Sequence, residues 1–137
     1  MVEEQFPRAI DSLESLTRFV HGFFAEHDLP ADQTFNVDLV LEELFTNMVR
    51  HAKGGRKEIA VGLDHVAPTR TLTLRIRDFD VEPWELTQAP EPDLSIPIED
   101  RRPGGLGIFL VRQFTRRLDY HHVDGVTTVT AELEVPS

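Results

Sequence analysis

The chain has 137 residues, of which 40% are hydrophobic and 28% are charged, as expected for a folded domain rather than a disordered chain. Its formal net charge is −10 and it contains no cysteine. These totals argue against a nucleic-acid-binding protein, which needs a basic surface, and exclude disulfides and thiolate metal sites. No apolar run approaches the roughly 18 residues of a membrane span, and the acidic N-terminus lacks the apolar core of a signal peptide. We therefore expect a cytoplasmic protein with a single domain over residues 1–137.

Two amphipathic helices are predicted in the first half of the chain. Apolar residues at helical spacing indicate one helix over residues 11–27, with Asp11 as its N-cap and Glu14 completing a capping box. The i, i+3, i+4, i+7 spacing then holds for more than four turns and predicts a second helix over residues 32–52. A Gly-Gly pair follows this helix and is expected to end it.

The remaining elements are mostly strands. Alternating apolar residues predict four of them, at residues 57–63, 71–78, 118–123 and 126–135. The last two flank Asp124-Gly125, which is a strong signal for a two-residue hairpin turn. A further short strand is expected near residues 5–10.

A long proline-rich segment, residues 81–104, separates the first strands from a third predicted helix at residues 105–117. Loops of this length in compact domains are usually functional lids or disordered segments. Hairpin connections imply a sheet that is largely antiparallel. The order of elements therefore predicts an α+β two-layer sandwich, with a mixed, mostly antiparallel sheet and three helices on one face.

The second helix carries the first candidate site. Glu43, Asn47 and His51 are four residues apart, so they form one row along the edge of the apolar stripe, while Glu42 lies on its other edge. An amide oxygen can bind a hard cation such as Mg²⁺, and a carboxylate can orient or deprotonate a nucleophile. The alternative is a solvated Glu beside a polar boundary Asn, and the spacing alone leaves both interpretations open.

Asp78 ends an inward-facing row of apolar residues in its strand. An unpaired buried carboxylate is costly, so Asp78 needs a hydrogen-bond donor, either an N–H group of the protein or an amine of a ligand. Thr127 has the same parity as the apolar residues of the last strand, so its hydroxyl is also expected to face inward.

Three glycines, Gly104, Gly105 and Gly107, precede and enter the third predicted helix. A helix N-terminus presents free N–H donors and a positive dipole end, and glycine lets an anion approach the backbone. The segment does not have the spacing of a P-loop. Taken alone, it is consistent with either a plain turn or a phosphate site.

Taken together, these signals resemble the GHKL (Bergerat-fold) ATPases. Glu43-x-x-x-Asn47 on a helix, Asp78 at a strand end and Gly105-x-Gly107 after a long loop correspond in order to that family's three nucleotide-binding boxes. The small chain is most similar to the anti-sigma-factor serine/threonine kinases of that family. The resemblance covers nearly the whole chain and implies the histidine-kinase-like ATPase fold.

The resemblance implies a role for each matching position. Glu43 would be the general base, and Asn47 would bind Mg²⁺ bridging the phosphates of ATP. Asp78 would accept a hydrogen bond from the adenine amine. The other residues implied at the nucleotide site are Thr127, the phosphate-binding Gly104, Gly105, Leu106 and Gly107, and Arg101 and Arg102 in an ATP lid over residues 87–104.

One position departs from the family pattern. The family usually has a glycine two residues after the adenine-binding Asp, and this chain has Asp80 there, which adds bulk and negative charge at the cofactor site. The resemblance also implies that Arg18 contacts a protein partner.

The resemblance implies an ATP-dependent kinase that binds a sigma factor and phosphorylates a STAS-type antagonist protein, and so regulates transcription by a partner switch. The alternative is a non-catalytic binding module of the same fold that binds ATP weakly or not at all. The intact Glu43 and Asn47 favour the kinase, and Asp80 favours the binding module. The sequence leaves open whether the chain forms a homodimer.

Overall fold

A computed structural model describes residues 1–83 and 105–136, and for residues 105–107 it describes the backbone. Within these residues the chain forms five strands and three α-helices. In chain order they are β1 (Val2–Pro7), α1 (Leu13–Glu26), α2 (Thr34–His51), β2 (Glu58–Val66), β3 (Thr71–Asp78), α3 (Gly105–Phe114), β4 (Arg117–Val123) and β5 (Val126–Glu134). The helices and strands predicted from periodicity are all present, with ends that differ by a few residues.

The strands form one sheet in the order β1-β2-β3-β5-β4. Every neighbouring pair in the described residues is antiparallel, so the expected α+β sandwich is confirmed but its sheet is not mixed. Asp124 and Gly125, with φ of 53° and 77°, form the two-residue turn between β4 and β5. Both φ angles are positive, as the right-handed twist of a hairpin requires.

The core lies between one face of the sheet and the three helices. Every second residue of β3 is buried from Leu72 to Asp78, and the same alternation runs along β5 from Thr127 to Leu133. The apolar residues among them form one cluster with the buried faces of the helices, including Phe24, Phe45 and Val111. The α2 helix packs against β3, the strand that ends in Asp78.

The predicted capping box at the first helix is wrong. Asp11 lies in a short 3-10 turn, and α1 begins directly after this turn, at Leu13. Its N-cap residue, Ser12, makes no side-chain capping bond. The Ser12 hydroxyl donates instead to the carbonyl of Pro7, at 2.7 Å. The chain therefore enters the helix through a bond back to the end of β1.

The first strand begins earlier than predicted, at Val2 rather than near residue 5. It is an edge strand in which Phe6 is the single buried residue, so its sequence shows no apolar alternation. Among the described residues, no helix is both long and apolar enough to cross a membrane.

Candidate functional site

The edge of α2 holds the first two predicted site residues one helical turn apart. Asn47 is 6% exposed, and its Nδ2 donates to the backbone carbonyl of Glu43 at 2.7 Å. This bond uses the amide nitrogen and leaves the oxygen, Oδ1, which is the atom a hard cation binds. Asn47 is therefore held in place by the helix that carries Glu43.

Glu43 is half-buried, whereas its neighbour Glu42 is exposed. Burial raises the pKa of the Glu43 carboxyl above its usual range, and the negative charge of Glu42 raises it further, against an opposing effect of Arg50. A carboxylate with a raised pKa is a better proton acceptor, as a general base requires. His51, the third residue of the predicted row, is exposed.

The described residues contain no cluster of three or more His, Asp or Glu side chains that could hold a metal ion. A cation at Asn47 would need further ligands, such as a bound substrate and water. Mg²⁺ is commonly held in this way, by one or two protein groups together with substrate phosphates.

Asp78 lies at the end of β3 on the buried face of the sheet, with a side chain that is 1% exposed. Its Oδ1 accepts a hydrogen bond from Nη2 of Arg8, and within the described residues its Oδ2 has no hydrogen-bond partner. Burial raises the pKa of the Asp78 carboxyl, although the hydrogen bond and charge of Arg8 and a backbone hydrogen bond from Phe79 oppose this effect. The sequence prediction of an inward-facing carboxylate is confirmed, and its protein donor is an arginine.

Arg8 is the residue that sequence reasoning missed. It follows β1, and its backbone N–H donates to the carbonyl of Lys57 at 2.7 Å while Nε donates to the carbonyl of Arg56 at 2.9 Å. The guanidinium passes against Gly55, where a Cβ atom would lie 2.3 Å from Nη2. Arg8 has the parity of Phe6, but the strand predicted near residues 5–10 has no apolar alternation that would have shown which face is buried.

Thr127 lies directly opposite Asp78 in the register of β3 and β5, and it is buried. His122 lies opposite Thr127 in β4, and its Nε2 is 3.0 Å from the carbonyl of Val81. Asp78, Thr127 and His122 therefore form one polar row across the sheet at the end of the apolar core.

Asp80 keeps the backbone geometry that a glycine would favour. Its φ is 59°, in the left-handed region, and its carbonyl accepts a hydrogen bond from the N–H of Gly55 at 2.8 Å. Asp and Asn enter this region more readily than other non-glycine residues. Its carboxylate is 65% exposed and lies 2.5 Å from Nε of Arg56, so its negative charge is paired at the surface.

Replacing Asp80 tests this account of the missing glycine. Asp80→Gly is expected to change the free energy of unfolding by less than about 1 kcal/mol. The relief of backbone strain at positive φ is offset by the greater conformational entropy that glycine loses on folding and by the loss of an exposed ion pair. Asp80→Val is expected to cost about 1–3 kcal/mol, since a β-branched residue tolerates this φ poorly. Urea denaturation measures both, and equal stabilities for the two variants would contradict the argument.

The predicted phosphate-binding glycines lie at the start of a helix. Gly105, Leu106 and Gly107 are the first three residues of α3, so their N–H groups have no acceptor within the helix. Arg101, Arg102, Gly104 and the predicted lid over residues 87–104 lie outside the described residues.

Arg18, the predicted partner contact, is exposed on α1. Its guanidinium lies 3.2 Å from the carboxylate of Glu14 and 3.2 Å from the hydroxyl of Ser15. Exposed pairs of this kind contribute little stability, so Arg18 is able to exchange them for other contacts.

Comparison with known proteins points to the same family as the sequence motifs. A model described as the histidine kinase-like ATPase domain matches residues 6–133. The serine/threonine-protein kinase BtrW of Bordetella bronchiseptica is 32% identical over 96 residues, which cover 70% of this chain and 67% of BtrW.

Two solved structures share the fold. The RsbU and RsbW domains of Rv1364c from Mycobacterium tuberculosis superpose with a TM-score of 0.64 at 13% identity, over 98% of this chain. The histidine kinase AdeS of Acinetobacter baumannii superposes with a TM-score of 0.50 at 16% identity, over 100% of this chain and 69% of that one. The chain spans 33% of the length of the Mycobacterium tuberculosis chain. At these identities the likeness concerns the fold alone.

Proposed function

Because the chain belongs to the histidine kinase-like ATPase family, we propose that it is an ATP-dependent protein serine/threonine kinase. Family membership confirms the resemblance predicted from the sequence. The observation that carries the proposal is the pair on α2, a half-buried Glu43 with a raised pKa one turn before a buried Asn47. The relative BtrW bears the name of a serine/threonine kinase, which supports this choice of reaction.

Several described residues support binding of the base and the phosphates of a nucleotide. The unpartnered Oδ2 of Asp78 would accept a hydrogen bond from the amine of adenine, and Thr127 lies beside Asp78 in the sheet. The N–H groups of Gly105, Leu106 and Gly107 lie at a helix N-terminus, where a phosphate is favoured. Bound Mg²⁺ would neutralise phosphate charge, and Asn47 Oδ1 is the protein atom that would hold it.

Glu43 would act on the acceptor hydroxyl. Phosphoryl transfer depends mainly on positioning and on charge stabilisation, and a nearby carboxylate orients the attacking hydroxyl and accepts its proton. The raised pKa of Glu43 suits this role, and Asn47 is fixed beside it through the bond to the Glu43 carbonyl.

The protein partners are proposed from the resemblance to the anti-sigma-factor kinases. We expect the chain, as one domain over residues 1–137, to bind a sigma factor through a surface that includes Arg18, and to phosphorylate a STAS-type antagonist. Such a partner switch would regulate transcription in the cytoplasm. Arg18 is exposed and its contacts are local, which supports its availability to a partner.

Titration of MgATP into the purified chain tests the proposal. The wild type is expected to bind MgATP at millimolar concentration or below, and Asn47→Ala is expected to bind it at least about tenfold more weakly, as loss of a charge-assisted contact predicts. The exposed Asn36, on the same helix, provides the control variant Asn36→Ala, which is expected to bind as the wild type does.

A repeat of the titration in EDTA separates a metal role from a structural one. If Asn47 acts through Mg²⁺, the wild type and Asn47→Ala should bind metal-free ATP with similar affinity. No binding of MgATP by the wild type at millimolar concentration would contradict the proposed function.

The alternative, a non-catalytic binding module, was suggested by Asp80. The backbone of Asp80 has a positive φ, which glycine adopts readily, and its carboxylate pairs with Arg56. Both observations weaken the steric and electrostatic arguments for that alternative. The MgATP titration distinguishes it from the kinase, because the module would bind nucleotide weakly or not at all.

A further inference from the structure

The ion pair between Arg8 and Asp78 contains two atoms whose hydrogen-bonding capacity is unused. Among the described residues, neither Nη1 of Arg8 nor Oδ2 of Asp78 has a hydrogen-bond partner, and both are shielded from solvent. Buried polar atoms are rarely left in this state, because each loses its bonds to water without replacement. One of the two atoms is a donor and the other is an acceptor.

The position of the unused donor is fixed by the rest of the guanidinium. Nε donates to the carbonyl of Arg56 at 2.9 Å, and Nη2 donates to Asp78 Oδ1. The guanidinium is planar and its five N–H bonds form a rigid fork, so two fixed nitrogens determine where Nη1 points. Gly55 leaves the space that the guanidinium fills.

We infer that Arg8 is a specificity-determining residue of the nucleotide site, with Nη1 donating to a ring nitrogen of the base whose amine donates to Asp78. An adenine edge carries a donor and an acceptor side by side, the exocyclic amine and the ring nitrogen N1, and therefore matches the two unused atoms. This inference rests on the proposed function, because it requires the base of the nucleotide to reach Asp78.

A base that carries a carbonyl in place of the amine has its hydrogen-bond donor and acceptor exchanged relative to adenine. Hypoxanthine presents an oxygen where adenine has its amine, and an N–H where adenine has N1. In the same pose the oxygen would face the carboxylate of Asp78 and the N–H would face the donor of Arg8. Both contacts would then be repulsive, and rejection by unpaired buried groups is strong.

A simpler role for Arg8 would be to neutralise the buried charge of Asp78 without touching the base. The two roles differ in one prediction that concerns the ligand. Removal of N1 from the base should weaken binding if Arg8 donates to it, and should have no effect if Arg8 only neutralises Asp78.

The experiment titrates ATP and 1-deaza-ATP, which lacks N1, into the wild type, Arg8→Met and Arg56→Met in the presence of Mg²⁺. The wild type is expected to prefer ATP by about ten- to a hundredfold, as for a hydrogen bond to a charged donor. Arg8→Met is expected to bind the two nucleotides equally. Arg56→Met, which loses the neighbouring exposed ion pair with Asp80, is expected to keep the preference.

Equal binding of the two nucleotides by the wild type would overturn the inference alone, as would an undiminished preference in Arg8→Met. Absence of ATP binding by the wild type would contradict the proposed function itself. If Arg8→Met does not fold, the side-chain ¹⁵N signals of Arg8 in the wild type provide the test. They are expected to shift with ATP and much less with 1-deaza-ATP, and identical shifts would overturn the inference.

Discussion

Glu43→Gln is expected to lower the rate of phosphoryl transfer by about a hundred- to ten-thousandfold, the usual contribution of a general base. The affinity for MgATP is expected to stay nearly unchanged, because the proposal gives Glu43 a role toward the acceptor hydroxyl rather than toward the nucleotide. The measurement is single-turnover transfer from radiolabelled ATP to a purified STAS-type protein, with ATP binding followed in parallel.

Glu42→Gln is the matched control, since it makes the same chemical change at the adjacent, exposed position. It is expected to retain transfer at neutral pH. Full activity of Glu43→Gln, or equal loss in both variants, would remove Glu43 as the base.

The raised pKa of Glu43 also predicts how the rate of phosphoryl transfer depends on pH. The base must be deprotonated to act, so the rate should fall as the pH drops through the pKa of Glu43, which burial and Glu42 hold above its ordinary value of 4.5. Glu42→Gln removes one of the two effects that raise this pKa. The acidic limb of its rate profile should therefore move to lower pH than in the wild type.

Arg8→Met is expected to lower the free energy of unfolding at neutral pH by about 3–5 kcal/mol, because it leaves the carboxylate of Asp78 buried without its partner. Arg8 is 15% exposed and Asp78 is almost fully buried, so water replaces the lost contact poorly. Arg56→Met breaks the exposed pair with Asp80 and is expected to cost no more than about 1 kcal/mol. Urea denaturation of the two variants measures the difference.

The loss of stability in Arg8→Met is expected to be smaller at low pH than at neutral pH. Burial already raises the pKa of Asp78 above its ordinary value of 3.8, and without Arg8 it rises further. When folding raises the pKa of a carboxyl, the folded state loses stability as the pH rises from the pKa of the unfolded state to that of the folded state. The deficit of Arg8→Met should therefore shrink near pH 4, and a deficit that is constant with pH would contradict this explanation.

Much of the fold was predictable because its periodic signals are strong. The α2 stripe and the alternation in β3 both reflect burial on one side, and the parity of Asp78 placed its side chain correctly in the core. The sequence motif also placed Gly105 and Gly107 at the start of a helix. These predictions depend on local pattern alone, which is why they succeeded.

The parts that were missed depend on contacts between distant residues. Arg8 and Asp78 are 70 positions apart, and β1 buries a single residue, so no periodicity marks the strand that positions Arg8. The capping box failed for a different, local reason, because Asp11 lies in a 3-10 turn ahead of the helix and Ser12 bonds back to Pro7, five positions earlier. The pairing of the Asp80 carboxylate with Arg56, 24 positions away, could not be predicted from the sequence either.

The position of Arg8 just after an edge strand links the candidate base site to local opening of the fold. Among the described strands β1 pairs with β2 alone, and it exposes most of its residues, so it lies among the elements that fray at low free-energy cost. Each such opening would withdraw Arg8 from Asp78. A ligand that binds both residues would in turn hold the first strand on the sheet, so that occupancy of the site and protection of the N-terminal amides from exchange would rise together.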